Sequence, residues 1–466
     1  MSLAVSGPSV AYQRHADLFG EKIKFIDLFA GMGGFRLGFE RGFAREGIQT
    51  ECVLTSEIKP HALKVLHKNF EHKNLVGDIT KIDSRDIPDF DFLLAGFPCQ
   101  PFSAGGKRLG FVDTRGTLFF EIQRILEEKQ PQGFILENVE GLVKHDLKRK
   151  GDKIGRTLQT ILDTLGEKGL GYKVSWMVLN SMDFGLPQSR KRIFIVGHKR
   201  FNIPLYDFKK KRVLLKEKLE NGQELLDTKF TRLLLKKYNI KDLYGKSIKD
   251  KRGGDNNIHS WDLEVKGPVS KKQVLLLNDL FKQRRKKIWA KKIGIDWMDG
   301  MALTYKQIKT FNNSPDLKNM LEDLVAKGYL KFEHPKKLVK IKTENGLKQY
   351  REEDETKPKG YNIVTGKLSF EINKILDPNG IAPTLVATDV SRIAVPDGKG
   401  LRRLTVREGL RLLGFPEHFE LPVKENEAFD LLGNSLAVPI VEAIAERLAE
   451  QVSILKKRQI LSSVPV

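Results

Sequence analysis

The sequence has few cysteines and no long apolar run, and these absences exclude several classes of protein. Cys52 and Cys99 are the only cysteines among 466 residues, too few for a disulfide scaffold or a four-cysteine zinc site. The longest apolar runs, such as 92–97, are far shorter than the roughly 18 residues that a membrane span needs. Residues 1–20 lack a basic segment followed by an apolar one, so no signal peptide is expected. We expect a cytoplasmic protein with no metal and no membrane partner.

Acidic residues are outnumbered by basic ones, with 59 Asp and Glu against 81 Lys and Arg, which gives a net charge of +22. This excess favours a polyanionic partner, most often nucleic acid. Residues 201–360 hold 38 basic and 22 acidic side chains, a net of +16. A single run such as 209–212 or 284–287 is better explained as a solvated surface. The uneven distribution of charge nevertheless predicts a second domain with its own partner.

The first 200 residues alternate between short apolar runs and amphipathic stretches, which predicts an α/β fold with a doubly wound, mostly parallel sheet. Ligands of such folds bind at the carboxyl ends of the strands. The predicted strands are 23–30, 49–58, a third directly before Gly77-Asp78-Ile79, 90–97, 133–139, 172–180 and 192–197, and the predicted helices are 35–46, 60–70, 116–128 and 153–168.

The residues after the first three strands together suggest a pocket for an adenosine. Asp27-Leu28-Phe29-Ala30-Gly31-Met32-Gly33-Gly34-Phe35 forms a glycine turn, in which the backbone can approach a ligand closely. The G-x-G-x-x-G fingerprint fails at Arg36, which weakens the case for a nicotinamide cofactor. Glu57 could accept both ribose hydroxyls, and Asp78 could accept from an adenine amine.

The fourth and fifth strands end in reactive side chains. Cys99 lies between two prolines in Gly96-Phe97-Pro98-Cys99-Gln100-Pro101-Phe102-Ser103, so its thiol is presented on a stiff loop. Cys52, inside an apolar strand, is expected to be a small buried hydrophobe instead. Glu137 ends the fifth strand, and the segment 188–192 supplies arginines beside the same edge.

These segments together resemble the cytosine-C5 DNA methyltransferases of bacterial restriction–modification systems. The matching blocks are 27–34, 96–103, Glu137-Asn138-Val139, Gln188-Ser189-Arg190-Lys191-Arg192, 402–408 and Gly433-Asn434-Ser435, in the family's order. They cover about 23–200 and 400–450. The resemblance implies the S-adenosylmethionine-dependent methyltransferase fold with a smaller basic target-recognition domain inserted. The implied divisions are an N-terminal extension (1–22, expected to be flexible), a catalytic domain (23–200), a target-recognition domain (201–400) and a C-terminal part (401–466) whose last helix returns to the catalytic domain.

The resemblance also implies the chemistry. Cys99 would add to carbon 6 of a cytosine flipped out of the duplex, so that carbon 5 can take a methyl group from S-adenosylmethionine, which leaves as S-adenosylhomocysteine. Glu137 would engage the ring N3 and the exocyclic amine, Arg192 the O2 atom, and Arg190 the loop or a phosphate. The residues implied to hold the cofactor are Asp27, Phe29, Gly31, Gly33, Glu57, Asp78, Ile79, Pro98, Asn434 and Ser435.

The implied partner is double-stranded DNA, bound by a monomer. A cognate restriction endonuclease that acts on the same site without a stable complex is a further implied partner. Residues 304–342 predict two short helices followed by a hairpin of 329–333 with 338–342, which is similar to a winged helix-turn-helix. A compact structural module explains the same pattern about as well. The expected DNA-binding residues are Gln100, Ser103, Arg115, Arg284, Arg285, Asn312, Asn313 and Lys318.

Three alternatives remain at this point. An RNA cytosine-C5 methyltransferase shares the motifs, but it lacks the long basic insertion and favours a second proline at the position of Phe97. A DNA-binding regulator that retains the fold is disfavoured because Cys99, Glu137 and the glycine turn are all present. An NAD-dependent enzyme is disfavoured by the glycine spacing.

Overall fold

The computed structural model describes residues 22–97, 117–149, 151–250, 256–295, 300–343, 346–365 and 370–462. The chain forms two compact units: the first comprises 1–219, 381–390 and 405–466, and the second 220–380 and 391–404. These limits differ from the sequence-based domains, because 201–219 and 381–390 group with the first unit. The N-terminal extension, up to residue 21, lies outside the described residues.

The strands are short and mostly apolar at their centres, as expected for buried sheet strands. They are β1 (Lys22–Leu28), β2 (Gln49–Ser56), β3 (Leu75–Val76), β4 (Phe92–Gly96), β5 (Gly133–Val139), β6 (Lys173–Asn180), β7 (Gln188–Ser189), β8 (Lys191–His198), β9 (Ser247–Ile248), β10 (Asn257–Ile258), β11 (Leu330–Glu333), β12 (Lys336–Thr343), β13 (Gly346–Glu353), β14 (Gly360–Ile363), β15 (Lys374–Ile375), β16 (Ala382–Pro383), β17 (Ile393–Asp397) and β18 (Gly400–Arg403).

The α-helices alternate with these strands in the first unit and cluster in the middle of the second. They are α1 (Gly34–Arg45), α2 (Pro60–Asn69), α3 (Thr117–Lys129), α4 (Arg156–Leu165), α5 (Lys229–Lys237), α6 (Lys271–Gln283), α7 (Lys287–Ile293), α8 (Tyr305–Lys309), α9 (Leu317–Ala326), α10 (Val406–Arg411), α11 (Glu425–Asn434) and α12 (Val438–Ser462). No single described helix is long and apolar enough to cross a membrane; α11 and residues 438–455 pass that test only as a bent pair.

A seven-stranded sheet organises the first unit, in the order β3-β2-β1-β4-β5-β8-β6. Strands β1 to β5 pair in parallel, and β8 runs antiparallel to both β5 and β6. The prediction of a mostly parallel α/β sheet is therefore confirmed. Because the strand order reverses at β1, where β2 lies on one side and β4 on the other, the carboxyl ends of these strands border the crevice in which such folds bind ligands.

Close contact between α1 and α12 brings the C-terminal segment back onto the sheet. Gly38 and Gly42 lie one turn apart on the packed face of α1. A Cβ at position 38 would lie 2.7 Å from Cβ of Val441, and one at position 42 would lie 2.5 Å from Cβ of Ala445. Arg45 adds ion pairs with two glutamates of α12. The two glycines thus allow a helix approach that any larger residue would block.

The second unit contains a five-stranded sheet in the order β10-β9-β15-β17-β18 and two separate strand pairs. The predicted hairpin is wrong, because β11 pairs with β14 and β12 pairs with β13, both antiparallel. The helix α9 begins at Leu317, with Asp316 in the capping position. The helices α8 and α9 themselves lie where the sequence predicts them.

Candidate functional site

A cavity of about 600 Å³ opens at the carboxyl edge of the seven-stranded sheet. Its volume lies within the range usual for small-molecule sites. Segments that follow β1, β2, β3 and β4 line it, together with the end of β5 and the end of α11 with the residues after it. Ten of the predicted site residues line this cavity: Phe29, Gly31, Glu57, Asp78, Ile79, Glu137, Arg190, Arg192, Asn434 and Ser435. The structure thus brings residues more than 400 positions apart into one pocket.

The turn after β1 has a left-handed backbone at three positions. Phe29 has φ 57°, Gly31 has φ 56° and Gly33 has φ 81°. A non-glycine residue in this region is strained, and such strain persists only where the surroundings enforce it. Gly33 does not line the cavity but packs behind it, where a Cβ would lie 2.3 Å from the ring of Phe70. Packing behind the cavity therefore constrains the backbone of the turn that carries Phe29.

Glu57 ties the glycine turn to the end of β2. Its Oε2 accepts from the backbone N–H of Gly31 at 2.7 Å, and its Oε1 accepts from those of Ile58 and Lys59, both at 2.8 Å. A carboxylate oxygen with a single donor keeps a further lone pair for a ligand hydroxyl. The carboxylate is therefore rigidly oriented and still able to accept from a ligand.

Asp78 and Ile58 form the adjoining wall. Oδ1 of Asp78 accepts from the backbone N–H and the hydroxyl of Thr80, and these hydrogen bonds lower the pKa of Asp78. The second carboxylate oxygen remains available to accept from a ligand. Ile58 lines the cavity with 67% of its surface exposed. Sequence reasoning missed this residue. The available signal was an apolar side chain directly after a predicted ligand carboxylate.

Asn434 lies at the C-terminal side of the cavity. Its side-chain amide donates to the carbonyl oxygen and to Oδ1 of Asp430, both at 2.9 Å. Oδ2 of Asp430 lies 2.8 Å from Nζ of Lys59 and 3.1 Å from Nε2 of His61. Burial would raise the pKa of Asp430, but the hydrogen bonds from Lys59 and His61 outweigh it and lower the pKa. Asp430, also missed from the sequence, thus connects α2 to α11.

Glu137 and Arg192 form an ion pair at the opposite side of the cavity, where Nε of Arg192 lies 2.9 Å from Oε1 of Glu137. Burial raises the pKa of Glu137, and the charges of Arg192 and Arg190 only partly oppose this. A carboxyl in such a position can hold a proton nearer neutral pH than an ordinary glutamate. The next residue, Asn138, donates to the carbonyl oxygen of Phe97 at 3.0 Å. Asn138 therefore anchors the chain where the cysteine loop begins.

Arg190 is 2% exposed, and burial lowers its pKa to about 9. Its two terminal nitrogens donate to the carbonyl oxygens of Leu385 and Gly433, both at 3.0 Å. Arg190 also lines the cavity. Its guanidinium thus connects the chain between β7 and β8 to the segments that carry Leu385 and Gly433.

Several predicted residues lie elsewhere. Pro98, Cys99, Gln100, Ser103 and Arg115 lie outside the described residues. Asp27 is fully buried behind the cavity rather than in its wall. Cys52 is buried, and burial raises the pKa of its thiol to about 11, as expected of an unreactive cysteine. Within the described ranges, no group of three or more His, Cys, Asp or Glu side chains could hold a metal ion.

The second unit corrects one predicted DNA contact. Arg284 is 5% exposed, and its guanidinium donates to Oδ1 of Asn362 at 2.6 Å. Internal partners hold it inside the fold. It therefore does not lie on an open surface, as the prediction of DNA binding required. Arg285 and Asn312 are half-buried, whereas Asn313 and Lys318 are exposed. These last four residues remain candidates for DNA binding.

The chain is similar to a known family along almost its whole length. A family model described as C-5 cytosine-specific DNA methylase matches residues 23–450. Type II methyltransferase M.NlaIV of Neisseria lactamica and M.NgoBV of Neisseria gonorrhoeae are each 56% identical over 428 residues, which is 92% of this chain and 99% of each relative. M.BanI of Aneurinibacillus aneurinilyticus is 42% identical over 451 residues, which is 92% of this chain and 96% of that relative.

Solved structures share the fold at lower identity. The crystal structure of a prophage-encoded DNA modification methyltransferase of E. coli has a TM-score of 0.51 and 21% identity, covering 93% of this chain and all of that one. The S. pombe Dnmt2 methyltransferase has a TM-score of 0.50 and 16% identity, covering 93% of this chain and 99% of that one. At these identities the likeness concerns the fold alone.

Proposed function

The chain belongs to the C-5 cytosine-specific DNA methylase family, and from this premise we propose a role for each residue of its candidate site. The reaction is the transfer of a methyl group from S-adenosylmethionine to carbon 5 of cytosine in DNA. The observation that supports the assignment best is the convergence of Glu137, Glu57 and Asn434 on one cavity, although they lie far apart in the sequence.

The cavity fits the cofactor in size and in its polar groups. S-adenosylmethionine supplies an electrophilic methyl group when it is bound. We assign Glu57 to the ribose hydroxyls, because its carboxylate is fixed by backbone donors and retains acceptor capacity. Asp78 would accept from the adenine amine, while Phe29 and Ile58 provide apolar surface for the adenine ring. Asn434 and Ser435 would hold the amino-acid end.

On the cytosine side, Cys99 and Glu137 share the chemistry. The Cys99 thiolate would form a bond to carbon 6 while a proton from the Glu137 carboxyl passes to N3, so that negative charge does not build up on the ring. Carbon 5 would then take the methyl group as the bond from that methyl to the sulfur of S-adenosylmethionine breaks, which leaves S-adenosylhomocysteine. A base would remove the carbon-5 proton as the bond between carbon 6 and the Cys99 sulfur breaks, and N3 would return its proton to Glu137, which releases the methylated base and restores the enzyme. Arg192 would orient Glu137 and donate to O2 of the cytosine.

The second unit is proposed to select the DNA sequence. Its basic character suits a polyanion, and it is inserted into a catalytic unit that carries the chemistry. We further propose that the enzyme acts as a monomer on double-stranded DNA in the cytoplasm, beside a restriction endonuclease that cuts the same site. Bisulfite sequencing of DNA from cells that express the chain would identify the site.

A trapping experiment tests the nucleophile. Duplex DNA that carries 5-fluorocytosine at the methylated position should form a covalent complex when S-adenosylmethionine is present, because fluorine cannot leave as the proton does. Cys99→Ala should abolish the complex, and Cys52→Ala should retain it. A complex that survives Cys99→Ala would refute the assignment.

Two substrates separate the remaining alternatives. Methyl transfer to duplex DNA but not to RNA of the same sequence supports the proposal. Transfer to RNA alone would favour the RNA methyltransferase. Sequence-specific DNA binding without any transfer would favour a regulator that retains the fold.

A further inference from the structure

Four consecutive cationic residues after β8 lie exposed on the first unit: Lys209, Lys210, Lys211 and Arg212. From the sequence alone, such a run is best explained as a solvated surface, but its place in the fold indicates a contact. We call residues 209–212 the basic segment, and we propose that it binds phosphates of the DNA backbone beside the flipped cytosine. The inference rests on the proposed function, because it takes DNA as the substrate.

The basic segment attaches to the same edge of the sheet at which the cavity opens. In β8, Arg192 lies opposite Val139 at the end of β5. The preceding residue, Lys191, lies opposite Asn180 at the end of β6. The chain therefore leaves β6 at the carboxyl edge, about two strand spacings, or roughly 10 Å, from the end of β5. Glu137 and Arg192 line the cavity at this edge.

Backbone hydrogen bonds hold the basic segment against the turn 181–187, which follows β6. The N–H of Lys211 donates to the carbonyl oxygen of Asp183 at 2.9 Å, and the N–H of Gly185 donates to the carbonyl oxygen of Lys211 at 2.8 Å. Gly185 has φ 79°, and a Cβ at this position would lie 3.2 Å from Cδ of Lys211. The aliphatic part of Lys211 thus packs on the turn, which places the segment beside the carboxyl edge.

Packing also fixes the chain on both sides of the basic segment. The ring of Phe208, directly before it, has its centroid 5.1 Å from that of Phe184. The guanidinium of Arg447 lies 3.8 Å from the same Phe208 centroid. Leu215, three residues after the segment, is fully buried. A segment that is already ordered loses less conformational entropy on binding than a free loop does.

The neighbouring carboxylates leave most of this positive charge available. Asp183 lies 3.8 Å from Nζ of Lys210, and in the described parts of the chain this is the one ion pair of the basic segment. Asp207 pairs instead with Arg447, at 2.8 Å. Side chains of this kind suit phosphate: lysine binds it as a point charge, and the guanidinium of Arg212 can donate two parallel hydrogen bonds.

The position of the basic segment favours the DNA backbone as its ligand. Duplex DNA carries one negative charge per roughly 1.7 Å of its axis. A cytosine that enters the cavity therefore brings its flanking phosphates to the carboxyl edge, where the segment lies. Contacts to phosphate position a protein on DNA without reading the sequence. The basic segment would thus hold the duplex at the cavity and leave the choice of sequence to other residues.

The test compares the variant Lys209→Gln/Arg212→Gln with the control Lys168→Gln/Arg200→Gln in the full-length protein. The control removes an exposed lysine before β6 and an exposed arginine after β8, at the opposite edge of the sheet. Dissociation constants for a duplex that contains the methylated site are measured across a series of KCl concentrations, without cofactor. Each lost phosphate contact should reduce the slope of log K against log salt by about 0.9. We expect a reduction of about 0.9 to 1.8 for the first variant and none for the control.

A third variant separates charge from structure. Lys209→Arg/Arg212→Lys keeps both charges and should keep the wild-type slope, and all four proteins should have the same melting temperature. Equal slopes for the wild type and Lys209→Gln/Arg212→Gln would overturn the proposal. So would equal reductions in that variant and the control, or a reduction in the charge-preserving variant as large as in the neutral one.

A second arm locates the contact on the DNA. Duplexes with a single uncharged methylphosphonate are scanned through the site. Positions beside the target cytosine should weaken binding by the wild type several-fold and affect Lys209→Gln/Arg212→Gln less, while bisulfite sequencing shows the same methylated sequence for both. An identical methylphosphonate profile in the two proteins, or a changed methylated sequence, would refute a backbone contact. If the wild type binds DNA with the expected slope but transfers no methyl group, the proposed function fails instead.

Discussion

Asp430 accepts a 2.9 Å hydrogen bond from Asn434 through one carboxylate oxygen and contacts Lys59 and His61 through the other. Asn434 is therefore held by its own helix and, through Asp430, by the start of α2. Because Lys59 and Asn434 both line the cavity, Asp430 fixes two walls of it at once. The residue has no direct place in the reaction, but it determines where the amide of Asn434 points.

Asp430→Ala should weaken cofactor binding without slowing the chemistry. Loss of a partly exposed, charge-assisted network of this kind costs about 1 kcal/mol, which corresponds to about a fivefold rise in KM for S-adenosylmethionine. The value of kcat should change less than twofold. Glu425→Ala, which removes an exposed acid from the same helix, is the control. A fall in kcat with unchanged KM would contradict the positioning role.

Glu137→Gln keeps the shape of the side chain but removes the proton that it would donate. The single-turnover rate should fall on the order of 10²-fold or more, while DNA binding is largely retained. Glu140→Gln, three residues further on and exposed, should leave the rate near that of the wild type. An unchanged single-turnover rate in Glu137→Gln would remove this residue from the mechanism.

Arg192→Gln should raise the pKa of Glu137 further. Burial already raises that pKa, and the Arg192 charge is the first of the influences that lower it. Carbon-13 NMR of labelled glutamate should therefore show Glu137 titrating at higher pH in the variant than in the wild type. Lys191→Gln removes a neighbouring charge that pairs with Glu140 instead, and it should shift the titration less. Equal titration curves would mean that the ion pair has no influence on the acid.

Gly42→Ala should destabilise the first unit. The added methyl group would lie 2.5 Å from Cβ of Ala445 and 2.6 Å from the carbonyl oxygen of Glu442, so α12 would have to move away from α1. Overpacking of this kind typically costs about 1–3 kcal/mol. Gly77→Ala adds the same group where no atom lies within 4 Å, and it should change the melting temperature little. Equal melting temperatures for the two variants would show that the helix contact is not tight in solution.

Local patterns predicted much of the catalytic unit. Strand β5 has the predicted bounds, because an apolar run between Gly133 and Val139 defines it without reference to the rest of the chain. The edge of the sheet that borders the cavity was predicted from the positions at which the strands end. The fold and the family are confirmed, whereas the roles of the individual site residues stay predictions.

Contacts between distant segments could not be predicted in this way. The pattern predicted a strand at 329–333, but the partner of this strand lies about thirty residues later, and alternation along a strand does not identify the partner. The charge of Arg284 suggested a surface, whereas its burial depends on Asn362, 78 positions away. Asp430 was missed for the same reason, since its partners Lys59 and His61 lie at the start of another helix, more than 360 positions away.

Asp27 should make the stability of the protein depend on pH. Burial raises its pKa from the ordinary 3.8 to about 8, although Arg36 opposes the effect. Between these two values the unfolded chain has released the proton while the folded chain still holds it. Rising pH therefore favours unfolding over this window, and the loss is complete above about pH 8. Below about pH 4 both states are protonated, and the carboxyl has no such effect.

Asp27→Asn removes the ionisation and should isolate its contribution, because every other titrating group is shared with the wild type. The melting temperature of the variant minus that of the wild type should be smallest near pH 4 and should increase steadily up to pH 8. Asp163→Asn, which changes an exposed carboxylate on α4, should show no such trend. Differential scanning fluorimetry across this range, without cofactor, measures both. A difference for Asp27→Asn that stays constant from pH 4 to 8 would mean that the buried carboxyl titrates no differently in the folded chain than in the unfolded one.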